Sequence, residues 1–194
     1  MSRRAGSEFP VCLRLEGRPV LVVGAGPIAE GKIRSLLEAG AVLRVIAPEA
    51  TASIVALAEA GRLELVRRSF QASDLEGQRL VFSATDDRSV SETVAAAARG
   101  ADLWLNAADE PDLCDFTLPS VGRQGLFTLA VSTGGAAPAV AARVRRRLLA
   151  ELSLAELGRA RLSAVVRSHW KRGPWRTRVL RWVATFASSP KGLL

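Results

Sequence analysis

Eleven residues, Pro19 to Ala29 (PVLVVGAGPIA), constrain the fold of this chain more than any other stretch. Four branched apolar residues, Val20 to Val23, stop at Gly24-Ala25-Gly26-Pro27-Ile28-Ala29, a G-x-G-x-x-A sequence. Behind it Ala29, Ile33, Leu36 and Leu37 recur at helical spacing until Gly40. A buried strand, a tight glycine turn and a helix, in that order, form the context in which this motif holds a dinucleotide. The first glycine permits the turn, the second lets a pyrophosphate approach the backbone, and the small third residue lets the helix pack on the strand. The helix N-terminus then offers unpaired N–H groups and a partial positive charge to the phosphates. The same letters occur in ordinary α/β turns, so the reading depends on the rest of the chain.

Beyond Gly40 strand and helix continue to alternate. Ala41–Ala47 (AVLRVIA) predicts the second core strand, and Ile54, Leu57 and Ala58 predict a helix ending at Gly61. Leu63–Val66 and Arg79–Thr85 read as strands, Ser89–Ala98 as an alanine-rich helix, and Asp102–Asn106 as another strand. Residues 9–18 read as a short edge strand or an arm ahead of the core. The fold class is therefore α/β: a Rossmann-like parallel sheet that binds NAD(P). After Asp115 the pattern changes. FTLPSV and LFTLAVS alternate on either side of Gly122-Arg123-Gln124-Gly125 and predict a hairpin. A helix then opens near Pro138, with Val140, Val144, Leu148 and Leu152 on one face and arginines over the rest. Two more helical stretches, about 154–170 and 175–187, carry Trp170, Trp175, Trp182 and Phe186 as anchors. The expected division is a Rossmann domain over 1–113, a small α+β dimerisation region over 114–150, and a basic helical tail over 151–194.

In such sheets ligands sit outside the carboxyl ends of the strands. Four strand ends carry suitable groups: Gly24–Ile28, Pro48-Glu49, Thr85-Asp86, and Asn106 with Asp109. An NAD fold places an acid at the end of the second strand for the ribose hydroxyls. Here that acid is Glu49, 25 residues past Gly24, or else Glu49 is a plain loop carboxylate. No arginine stands at 48 or 49 to meet a 2′-phosphate, which favours NAD over NADP unless Arg44 or Arg67 folds back. Asp109 follows a buried strand and is either a proton acceptor for a hydride-transfer reaction or a turn aspartate. Ser132-Thr133-Gly134-Gly135 lies between a strand and a helix start, where backbone N–H groups can converge on an anion or simply close a turn. The single histidine, His169, reads as a surface or packing residue, and no group of His, Cys and carboxylates has metal-ligand spacing.

The charge is segregated. The net +8 divides into −3 over residues 1–142 and +11 over residues 143–194. The tail therefore meets something acidic or forms a solvated basic face. Cys12 and Cys114 are isolated and read as small core residues in a reducing, cytoplasmic setting. No apolar run reaches the ~20 residues of a membrane span, and the N-terminus lacks the apolar core of a signal peptide.

These pieces in order, FPVCLRLEGRPVLVVGAGPIAEGKIRSLLEAGA, VIAPE, SATDD, NAADEP, FTLPS and AVSTGGAAPAVAARVRRRL, resemble the precorrin-2 dehydrogenase/sirohydrochlorin ferrochelatase family, the siroheme synthase module in its stand-alone form. The resemblance runs from about Phe9 to Leu149 and more loosely to about Phe186. It implies NAD as cofactor, with the glycine turn (Gly24, Gly26, Pro27, Ile28), Pro48 and Glu49 lining its site; Thr85 and Asp86 join that site by their place at the same sheet edge. It implies that Asp109 is the general base, assisting metal insertion in bifunctional members. It places Ser132, Thr133, Gly134 and Gly135 next to the tetrapyrrole site, and Thr133 stands where some members have a second serine; Asn106, by its strand-end position, is expected on the substrate side. The substrates implied are precorrin-2 and sirohydrochlorin, with ferrous ion as a further substrate in chelating members, and the assembly implied is an intertwined homodimer. Two rivals stand beside this reading. A nucleic-acid-binding NAD sensor would use the basic tail but lacks a recognition-helix signature. Another small NAD-dependent reductase would bring a Lys, His or Tyr to a site position, and the sequence shows none there.

Overall fold

The computed structural model describes residues 8–169 of the 194. The expected helix over 175–187 and the anchors Trp170, Trp175, Trp182 and Phe186 lie outside the described residues. The chain forms two units that divide between Thr117 and Leu118.

The first unit is a five-stranded sheet. Its strands are β1 (Pro19–Val23), β2 (Val42–Ile46), β3 (Glu64–Val66), β4 (Leu80–Ser83) and β5 (Trp104–Ala107). They lie in the order β3-β2-β1-β4-β5, and every pair is parallel. Helices α1 (Pro27–Glu38), α2 (Ala52–Glu59) and α3 (Arg88–Gly100) provide the crossovers, with a 3-10 turn at Ala72–Leu75. This is the strand order of a dinucleotide-binding half, with its switch point between β1 and β4.

A parallel sheet must be covered on both faces, so its central strands are mostly apolar. Strand β1 shows how that is met. Val20 and Val22 point into a core with Ala29, Ile33 and Leu36 of α1 and Ile54 of α2. Leu21 and Val23 point the other way, against Val94, Ala95 and Ala98 of α3. The period of two along the strand thus meets the period of 3.6 along each helix. A buried polar pair beside the second core is matched: the hydroxyls of Ser83 and Ser91 share a 2.9 Å hydrogen bond. Residues 8–15 form no strand, so the segment is an arm, and Cys12 on it is exposed rather than a core residue. Cys114 is buried.

The second unit contains β6 (Ser120–Gln124), β7 (Phe127–Val131), α4 (Pro138–Ala150) and α5 (Leu154–His169). The hairpin is displaced from its expected position. Gly122, Arg123 and Gln124 are strand residues, and the turn is Gly125-Leu126, between the paired Gln124 and Phe127. Gly125 has φ +58° at the first central position, which suits the twist of a two-residue hairpin. Gly122 is glycine for another reason. A methyl group there would stand 2.3 Å from Leu149 of α4, so the strand carries a gap that the helix fills.

Helix α4 also differs from the sequence pattern. Its face toward the hairpin is Ala141, Arg145 and Leu149, with the Arg145 guanidinium donating to Val121 O at 2.5 Å. Of the expected apolar stripe, Val140, Val144 and Leu148 are exposed and Leu152 is half-buried.

Candidate functional site

The glycine turn is fixed by its neighbours on both sides. Gly24 N–H donates to Ile46 O at the end of β2 (2.9 Å), and Ala84 N–H past β4 donates to Val23 O (2.7 Å). Gly24 has φ +101°, and a methyl group on it would stand 2.3 Å from the carbonyl oxygen of Ala84. The first glycine is therefore required by the approach of β1 to β4. Gly26 is different. It has an ordinary φ of −84°, and a methyl group on it would meet no described atom within 4 Å.

Gly26 is also the N-cap of α1, Pro27 fills the first helical position, and no described side chain caps the helix. The N–H groups of the first turn thus have no partner within the helix. Open space above uncapped N–H groups, at the positive end of a 12-residue helix, is what a pyrophosphate requires. The chain's own residues therefore fit a dinucleotide. Glu30, in the same turn, is occupied: its carboxylate accepts from the Thr51 hydroxyl at 2.6 Å, joining α1 to the start of α2.

The other strand-end residues follow the strands of the same sheet. Pro48 and Glu49 are exposed in the loop after β2. Arg44, a candidate for folding back to a 2′-phosphate, is instead paired with Glu64 on β3 at 2.7 Å. Thr85 accepts from Asp87 N–H at 3.2 Å, and Asp86 is exposed. Asp87 caps α3, accepting from the N–H and hydroxyl of Ser89, and these bonds hold its carboxyl below the usual carboxylate range.

Asp109 sits on a short loop that leaves β5 and returns to it. Ala108 N–H donates to Ser83 O at 2.8 Å on the outward side. On the return, Asp115 N–H donates to Leu105 O (2.8 Å) and its carboxylate accepts from Leu105 N–H (2.9 Å). The Cys114 thiol donates to Ala107 O at 3.1 Å inside the loop. From outside, the Arg88 guanidinium pairs with Glu110 and, at 2.8 Å, with Asp112. Asp109 itself is exposed and has φ +60°, a left-handed conformation that few residues other than glycine adopt and that aspartate and asparagine tolerate best.

Asn106 is buried beneath this loop. Its amide N–H donates to Phe116 O at 2.9 Å, and its carbonyl accepts from the Lys32 ammonium at 3.3 Å. Lys32 is half buried, and that burial pushes its ammonium below the ordinary lysine value, with Cys114 and Asp109 acting in the opposite direction. Sequence reasoning missed Lys32. The signal was present: with Ala29 and Leu36 it lies on the inward stripe of α1.

In the second unit, Ser132–Gly135 links β7 to α4. Thr133 accepts from Ala137 N–H (3.0 Å), and Ser132 accepts from Gly134 N–H (3.1 Å). Gly134 and Gly135 have φ +60° and +83° and face open space. Helix α4 starts at Pro138 with no side-chain cap among the described residues.

An NAD(P)-binding family model matches residues 11–120, and a model of the sirohaem biosynthesis protein central region matches residues 128–151. The siroheme synthase of Methylococcus capsulatus is 46% identical over 140 residues, covering 72% of this chain and 30% of that protein. The siroheme synthase of Tolumonas auensis is 40% identical over 182 residues, covering 93% of this chain and 38% of that protein. The chain thus spans roughly a third of the length of these curated relatives. Among solved structures, SirC, a precorrin-2 dehydrogenase, superposes with a TM-score of 0.80 at 26% identity, covering 95% of this chain and 92% of that one. With a dinucleotide cradle on the sheet edge and a family model over more than half its length, the chain belongs to the NAD(P)-binding family of the sirohaem-biosynthesis proteins.

Proposed function

We propose that this chain oxidises precorrin-2 to sirohydrochlorin with NAD+ as hydride acceptor, a step in siroheme biosynthesis. The observation that carries the reading is the likeness to a precorrin-2 dehydrogenase along nearly the whole chain. When bound, NAD supplies the nicotinamide ring that accepts the hydride.

The chain's residues do the rest. Gly24 shapes the turn, Gly26 leaves room for the pyrophosphate, and Pro27 and Ile28 open the helix whose N–H groups hold it. Glu49, exposed past β2, accepts the ribose hydroxyls, with Pro48, Thr85 and Asp86 lining the same edge. Asp109 takes the proton released as the hydride leaves the macrocycle. Asn106, its amide committed inside the chain, serves the substrate side by holding the Asp109 loop. Ser132, Thr133, Gly134 and Gly135, with the basic residues after 143, bind the carboxylates of the tetrapyrrole through N–H groups and arginines. The assembly is a homodimer in this reading, supported by Val140, Val144 and Leu148, which are exposed on α4.

The test is anaerobic: purified protein, precorrin-2 and NAD+, followed by NADH absorbance and the tetrapyrrole spectrum, with ferrous ion added afterwards. The reading expects NADH in step with sirohydrochlorin. A metal-dependent spectral change faster than the no-enzyme rate would add chelation to the activity. Absence of NADH from folded, NAD-binding protein would overturn the dehydrogenase reading. Asp109→Asn, which keeps a residue tolerant of the left-handed conformation, is expected to lower kcat by about 100-fold or more with NAD affinity unchanged.

A further inference from the structure

Lysine is among the residues least often removed from water, and when it is, it is normally paired with a carboxylate. Lys32 breaks that habit. It is half buried on α1, and no described carboxylate lies within ion-pair distance of it. Its hydrogen bond goes to the carbonyl of a neutral amide, Asn106 Oδ1 at 3.3 Å.

That bond has one possible orientation. Asn106 Nδ2 must donate to Phe116 O, because a backbone carbonyl only accepts. Oδ1 is therefore turned to α1 and needs a donor, and Lys32 is that donor. The titratable groups acting on Lys32 are Asp109 and Cys114, both from the segment after β5. The bond to Asn106 thus ties the helix that opens at the glycine turn to the strand end that leads into the loop carrying the exposed Asp109.

We propose that Lys32 is a positioning residue for the dehydrogenation, its ammonium bonded to Asn106 three residues before Asp109, so that the dinucleotide helix and the proton-accepting loop keep one arrangement. The inference rests on the reading of Asp109 as the base. In the step itself Lys32 makes and breaks no bond. The hydride passes from the macrocycle to the nicotinamide, the proton passes to Asp109, and Lys32 stays charged throughout. Misplacement of a reacting group by about 1 Å can cost about 100-fold in rate, so a fixed cation beside the loop matters more for kcat than for binding.

Two measurements test this together. The first follows the titration of the Lys32 Nζ by nitrogen-15 NMR in the wild type and in Asp109→Asn. The Lys32 midpoint is expected to fall measurably in the variant, since the carboxylate that favours the charged ammonium is gone. The second measures NADH formation against pH, with NAD affinity by fluorescence, in Lys32→Met and Lys32→Arg. Lys32→Met is expected to lower kcat about 10- to 100-fold with the NAD Kd changed by less than about threefold. Lys32→Arg is expected to recover most of that loss and to move the alkaline fall in activity upward, because a guanidinium does not titrate there.

An unchanged Lys32 midpoint in Asp109→Asn overturns the proposal. So does wild-type kcat and pH profile in Lys32→Met, or a loss that Lys32→Arg, folded by circular dichroism, leaves unrelieved. If wild-type protein yields no NADH from precorrin-2 while the Lys32 midpoint still responds to Asp109→Asn, the coupling is established and the reaction assignment is what fails.

Discussion

At the scale of single residues, the two glycines of the turn separate fold from function. Gly24 is held at φ +101° with Ala84 O where a side chain would stand. Gly24→Ala is therefore expected to destabilise the chain by about 3 kcal/mol or more, read as a large fall in thermal midpoint. Gly26 has ordinary backbone geometry and open space around it. Gly26→Ala is expected to keep the wild-type midpoint while weakening NAD about tenfold or more, a loss of about 1.4 kcal/mol, measured by fluorescence titration. Equal effects of the two substitutions would contradict this division. The motif shows in the sequence, but the different reasons for its two glycines do not, because only β4 folding back beside β1 brings Ala84 to Gly24.

At the scale of elements, the 3-10 turn Ala72–Leu75 shows how a charge stabilises a connection. Asp74 is buried, its two carboxylate oxygens accept from the Arg68 guanidinium at 2.5 and 2.8 Å, and one also accepts from Gln71 N–H at 2.8 Å. The bonds from Arg68, with help from Gln71, hold the Asp74 carboxyl below the usual carboxylate range. A carboxyl lowered on folding contributes stability above its unfolded value, and the contribution disappears as pH falls through the folded one. Asp74→Asn is thus expected to cost about 1–3 kcal/mol near neutral pH. Urea unfolding at a series of pH values should show the gap to wild type closing in acid, and a gap independent of pH would refute the assignment. Sequence reasoning passed over this turn because its partners, Arg68 and Asp74, belong to no periodic pattern.

At the scale of the molecule, the second unit carries an apolar surface that its own hairpin does not use. The α4 residues against the hairpin are Ala141, Arg145 and Leu149, while Val140, Val144 and Leu148 stay exposed. Val144→Glu with Leu148→Glu is expected to shift sedimentation from dimer to monomer while the helical circular dichroism signal is retained. A wild-type protein that sediments as a monomer at micromolar concentration would remove the homodimer from the proposed function. Among the described residues no helix is long and apolar enough to cross a membrane.

The amino-acid pattern alone determined the α/β class, the glycine turn and the four strand ends, because local periodicity and turn chemistry are written in neighbouring residues. Residues far apart in the chain were decided by the tertiary structure. Gly122 and Gly125 both read as turn glycines, yet only Gly125 turns, since Leu149 of α4 occupies the space Gly122 leaves. The stripe on α4 was legible, but which side of the helix faces the hairpin was not. Lys32 met Asn106 across 74 positions of sequence, and only the docking of α1 beside the end of β5 made them neighbours. Long-range contacts of this kind arise from packing the whole sheet, and no window of sequence contains them.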